Sequence, residues 1–97
     1  MALKKDIELN NGIVVNYHRI SILTTYVNDS IVISIASYIN EEKRDEEKVE
    51  RTEEYSYDIN NIITTFTEVT EYSEDFDVKK AYEYLKTLDK FKDAEDA

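Results

Sequence analysis

Residues 10 to 40 read NNGIVVNYHRISILTTYVNDSIVISIASYIN, two long β-branched runs, each opened by turn chemistry. The chain's one glycine, Gly12, follows Asn11. An Asn-Gly pair is the strongest short hairpin signal, because both central positions of a type I′ turn need positive φ. Asn28-Asp29 repeats the signal in weaker form. With Ile7 and Leu9 ahead of the first turn, the stretch predicts a three-stranded antiparallel meander whose second strand runs from Ile13 to Val27 and whose third runs from Ser30 to Asn40.

Closing two-residue loops at Asn11-Gly12 and Asn28-Asp29 fixes a register. Leu9 then falls opposite Val14 and Ile7 opposite Asn16, while Tyr26 faces Ile31, Ile22 faces Ile35, Arg19 faces Tyr38 and His18 faces Ile39. Because side chains alternate along a strand, one face collects Ile7, Leu9, Val14, Ile20, Ile22, Tyr26, Ile31, Ile33, Ile35 and Ile39 and becomes the core. The opposite face carries Ile13, Val15, Tyr17, Arg19, Leu23, Val32, Ala36 and Tyr38. That mixture is too apolar to stand fully solvated, so part of it needs a cover. A bulge in the long second strand would exchange the two faces beyond it.

Outward from the meander, Glu41 to Glu54 reads EEKRDEEKVERTEE, with Val49 its one aliphatic residue and no apolar face. Good helix formers and the Glu47 to Arg51 spacing suit an exposed helix, and the same composition suits a charged connector. Tyr55, Tyr57 and Ile59 alternate before Asn60-Asn61, and Ile62 to Tyr72 resumes as a threonine-rich strand, so the segment is one bent strand or a hairpin. Asp77 suits the N-cap of a helix from Val78 to Leu88, in which Val78, Ala81, Tyr82, Leu85 and Leu88 recur at helical spacing. Asp89 to Ala97 reads as a charged tail with Phe91 as its anchor. The expected whole is a single α+β domain over residues 1–97, an antiparallel sheet of four or five strands with the C-terminal helix packed on one face. Its other face or an edge strand is left for self-association, which predicts a homo-oligomer.

Composition removes many function classes. Ninety-seven residues suffice for one core. The absence of cysteine excludes disulfides, thiolate zinc sites and cysteine nucleophiles, and fits a reducing compartment. The start turns polar at Lys4, and no apolar run approaches the roughly 18 residues of a membrane span, so a soluble chain with no membrane partner is expected. Twelve basic residues against 22 acidic ones give a net charge of -10, which repels nucleic acid and suits either plain solubility or a basic partner.

Catalytic equipment is sparse. One histidine, His18, with no glycine-rich elbow around any serine, argues against a serine triad. A single glycine excludes a P-loop and a dinucleotide fingerprint. The acid clusters Glu74 to Asp77 and Asp93 to Asp96 lack the spacing of a calcium loop. The expectation is a protein that is not an enzyme and uses no cofactor or metal. Eight tyrosines point instead to binding. Tyr17, Arg19 and Tyr38 share the second sheet face, where an arginine among aromatic rings suits a planar or anionic ligand. The register puts His18 on the core face beside Asn16, and His18 or Lys43 and Arg44 are the basic groups expected nearby to meet phosphates.

Ala2-Leu3-Lys4-Lys5, the run NGIVVNYHRI at Asn11 to Ile20, and AYEYLKTL at Ala81 to Leu88 with Phe91 resemble a group of small proteins encoded by phages and prophages of Gram-positive bacteria, often near tail genes. The likeness covers the meander and the C-terminal helix, leaves out the charged middle, and carries no catalytic signature. It implies a viral protein that works by binding. One form is an inhibitor of host antiviral defence, placed in the host cytoplasm, that occupies a host protein or sequesters a nucleotide-like immune signal. The other is a tail or baseplate accessory protein of the virion.

Overall fold

Both hairpin turns form where the asparagines place them, but each loop is one residue longer than the shortest closure. The computed structural model describes residues 1–51 and 61–97. In chain order the elements are β1 (Leu3–Glu8), β2 (Val14–Tyr26), β3 (Ser30–Tyr38), α1 (Glu41–Arg51), β4 (Thr64–Glu71), α2 (Val78–Leu85) and β5 (Glu95–Asp96). The strands form one antiparallel sheet in the order β4-β3-β2-β1-β5, so the expected meander is its centre and the fold is α+β.

At the first turn the Gly12 N–H donates to the Leu9 carbonyl (2.9 Å) and the Leu9 N–H to the Ile13 carbonyl (2.8 Å). The loop is therefore Asn10-Asn11-Gly12, with the positive φ (84°) falling on the residue that follows the turn. The second loop, Val27-Asn28-Asp29, closes through Asp29 N–H to the Tyr26 carbonyl (3.0 Å), with Asn28 at φ 60°. The extra residue slips the register by one. Glu8 pairs with Val14, Ile7 with Val15 and Tyr26 with Ser30, in place of the expected partners.

A bulge then widens the slip to two residues, which returns the side chains to their expected faces. Ile22 pairs with Ser34 but Ile20 pairs with Ile35, so Ser21 is the extra residue. Toward the N-terminus of the bulge His18 and Ile20 face the core, as expected. Beyond it Leu23 turns inward against the core, while Ile22 and Tyr26, expected inside, are 59% and 53% exposed. Val14 and Ile39 were also expected in the core; they lie at the strand ends and are exposed. A second irregularity in β1, between Lys4 and Ile7, sets Asp6 where its carboxylate accepts from the Asn16 side-chain amide (2.9 Å).

The main core joins Leu3, Ile31, Ile33 and Ile35 of the sheet to Ala81, Tyr82 and Leu85 of α2 and to Phe91. Each fully buried aliphatic side chain contributes about 1.5 to 3 kcal/mol. Asp77 caps α2 by accepting the Lys80 N–H (2.9 Å). The helix ends at Leu85 rather than Leu88, because tighter turns follow, yet Leu88 still packs on the core from them. Phe91 is fully buried and anchors the C-terminal segment, which is more than a tail: Glu95 and Asp96 pair with Lys4 and Leu3 as the fifth strand.

The end of the second face that holds Tyr17 and Tyr38 has its cover. Asn40 caps α1 through the Lys43 N–H (3.0 Å), and Lys4 pairs with Glu41 (2.8 Å) at its first turn. The charged segment is thus a helix over Glu41–Arg51, lying against β2 and β3 beside a small cluster of Ala2, Tyr17, Ala36 and Tyr38 with Ile62. A helix without an apolar stripe covers a sheet with the aliphatic stems of its long side chains. The alternation of Tyr55, Tyr57 and Ile59, the Asn60 side of the following turn and the side-chain pairing of Glu47 with Arg51 lie outside what is described.

Candidate functional site

Tyr17 and Tyr38 are direct cross-strand partners, and their rings meet edge to face with centroids 6.1 Å apart at 64°. Arg19 pairs with Ala36 rather than with Tyr38, and it reaches Tyr38 on the diagonal. The small Ala36 leaves room for this. Arg19 Nε donates to the Tyr38 hydroxyl (3.0 Å), and its Cζ stands 5.9 Å from the ring centroid.

Next to Arg19 the Ser21 bulge breaks the pairing, and β1 does not extend far enough to cover this part of β2. Here the Tyr82 hydroxyl reaches across from α2. It accepts the Ile20 N–H (2.8 Å) and donates to the Met1 carbonyl (2.8 Å), so a backbone donor at the bulge is satisfied by a side chain distant in sequence. The result is a cleft of about 280 Å³ at the sheet margin, lined by Met1, Tyr17, Arg19, Ile20, Arg44 and Tyr82 together with Val78.

β2, α1 and α2 each contribute a functional side chain to this cleft. Burial, then the carboxylates of Glu41 and Asp45, push the Tyr17 phenol above its ordinary pKa, with Arg44 and Arg19 opposing. Burial likewise raises Tyr82, partly offset by the hydrogen bond from Ile20. Both phenols therefore stay protonated near neutrality. The two guanidiniums offer planar donor forks suited to carboxylate or phosphate oxygens, and the phenol rings offer apolar surface to a flat group.

Of the residues singled out from the sequence, Tyr17, Arg19 and Arg44 line the cleft and Tyr38 backs it through Arg19. His18 does not belong to it. Neighbours on a strand point to opposite faces, so His18 faces the core, fully buried, with Nδ1 2.7 Å from Ser37 Oγ and Nε2 2.7 Å from the Lys5 carbonyl. A carbonyl only accepts, so Nε2 carries the proton and Nδ1 accepts from the serine. Phe91 and Phe66 complete its cage, with ring centroids 5.3 and 6.4 Å away, and burial lowers its pKa.

Lys43 is also displaced from the cleft. It precedes Arg44 on α1 and so points about 100° away around the helix. Its ammonium pairs with Glu46 (3.4 Å). Tyr82, whose hydroxyl bounds the cleft, was assigned from the sequence only to the apolar stripe of its helix. The signal for more was the residue type, since a tyrosine among buried aliphatics needs a partner for its hydroxyl.

A larger groove of about 500 Å³ runs between the first hairpin and β4, lined in part by Ile7, Leu9, Ile63 and Phe66. Its cation, Lys90, lies 4.2 Å from the Phe66 ring centroid and 3.8 Å from Glu68. Among the described residues no three His, Cys, Asp or Glu side chains converge as a metal ligand set, and no helix is long and apolar enough to cross a membrane. Comparison with family models, with curated proteins and with solved structures returns no match.

Proposed function

We propose that this chain is a non-enzymatic phage protein that inhibits a host antiviral defence by sequestering a nucleotide-like immune signal, working as a homo-oligomer in the host cytoplasm. The observation that supports this reading is the convergence of Arg19 and Arg44, from separate elements, on one cleft with Tyr17 and Tyr82, in a chain whose net charge is -10. A guanidinium pair takes the phosphate, and the phenol rings take the base or another flat ring. A volume of about 280 Å³ is at the small end for ligand sites and suits a compact ligand. Glu41 and Asp45 beside Tyr17 disfavour a polyanion such as RNA, so a lightly phosphorylated ring fits better.

The acidic surface suits the other inhibitory route, occupation of a basic site on a host protein, but that route has no use for two converging arginines. A tail or baseplate accessory role is the second reading, favoured by an open strand edge on β2 that suits assembly. Phage plating on a defended host separates them. Expression of the wild-type chain rescues plating, and Arg19→Ala loses the rescue while the protein stays folded. Full rescue by Arg19→Ala rejects sequestration, and stoichiometric copies in purified virions favour the structural role.

A further inference from the structure

Sheet edges are where a chain of this kind meets other chains, and the edges of this one differ in charge. The outer edge strand β4 carries Glu68 and Glu71, and β5 at the opposite edge consists of Glu95 and Asp96. Charges on edge strands block further pairing. A third edge exists because β1 pairs with β2 only from Val14 to His18. Beyond Ile20, whose N–H is taken by Tyr82, no strand among the described residues pairs with β2 on the side away from β3. That free edge is Ser21-Ile22-Leu23-Thr24-Thr25-Tyr26, with no charged residue and no proline, and none of its residues is buried.

We infer that β2 pairs along Ser21–Tyr26 with the β2 of a second copy of this chain, antiparallel and in the register centred on Thr24. Charge names the occupant. Two copies of a -10 chain repel, most strongly where Glu95, Asp96, Glu68 or Glu71 would meet, and this edge is the stretch along which they approach with no like charges opposed. A basic partner would instead be drawn to the acidic edges.

Register supplies the second argument. A two-fold axis through the Thr24 pair sets Ile22 opposite the partner's Tyr26, and Tyr26 opposite the partner's Ile22, all on one face. Aromatic with β-branched is among the favourable cross-strand pairs, and threonine opposite threonine is another. The pairing would cover Ile22 and Tyr26, two of the most exposed large apolar side chains of the sheet, and join two five-stranded sheets into one. An edge this short buries less than the ~800 Å² per partner of a standard interface, so the dimer is weak and depends on concentration.

This inference deepens the homo-oligomer part of the proposed function and does not depend on the ligand. The chain has no cysteine, so Thr24→Cys introduces a single probe. Sedimentation of the wild-type chain should show a monomer-dimer equilibrium in the micromolar range, Tyr26→Lys should shift it at least tenfold toward monomer, and oxidised Thr24→Cys should form a covalent dimer that Thr67→Cys, two strands away, does not. A strictly monomeric wild type at high micromolar concentration overturns the inference. So does a dimer that Tyr26→Lys leaves intact. Ligand retained by the monomeric Tyr26→Lys variant would leave the cleft assignment standing, which keeps the two failures apart.

Discussion

Tyr82 holds the Ser21 bulge and bounds the cleft with the same hydroxyl. Tyr82→Phe keeps the ring in the core but leaves the Ile20 N–H and the Met1 carbonyl without their partner. The expected cost is about 1 to 3 kcal/mol, read from the denaturant midpoint. His18 gives a pH signature instead. Its folded pKa is lowered by burial, against weaker opposing contributions from the Lys5 carbonyl and Asp6, so at mildly acidic pH the unfolded chain binds a proton that the folded chain refuses. The stability it contributes is complete above the ordinary value of about 6.5 and is lost as pH falls through the folded value. NMR titration of the ring protons should give a midpoint below 6.5, and a midpoint at or above it would contradict the buried cage. At this scale the sequence was readable where alternation alone decides, as in placing His18 on the core face, and unreadable where a contact joins distant segments, as with Tyr82 and Ile20.

Elements were legible in kind more than in register. Asn11-Gly12 announced a turn, but glycine serves both the two-residue loop and the three-residue loop with its positive φ one place later, and only the closed hydrogen bonds tell them apart. Nothing about Ser21 itself marks a bulge; its condition is a hydroxyl from another element. Likewise α1 was legible as helix or connector, because helix propensity was present and an apolar stripe was not. Asp77 and the buried stripe of α2 were plain, since cap and period agree. Gly12 offers a clean test at this scale. No atom lies within 4 Å of where its Cβ would stand, so Gly12→Ala pays only for the left-handed backbone, about 1 to 2 kcal/mol, with Gly12→Asn costing less. An unchanged denaturation midpoint for the alanine variant would mean that the loop does not hold its positive φ.

At the scale of the molecule, the fold class followed from strand runs, turn chemistry and one capped helix, none of which depends on knowing the register. The cleft followed only in part. Tyr17, Arg19 and Tyr38 were readable as one patch because they alternate on neighbouring strands, whereas the approach of Arg44 and Tyr82 depends on how two helices settle on opposite sides of the sheet margin. That approach is the centre of the proposed function, since it brings two guanidiniums to one cleft in a chain of net charge -10. Native mass spectrometry of the protein isolated from infected cells, beside an Arg19→Ala, Arg44→Ala double variant, tests it most directly. A phosphorylated, ring-bearing small molecule bound to the wild type and missing from the double variant is the predicted result. Equal ligand on both proteins, or none on the wild type while the host signal accumulates, would contradict it.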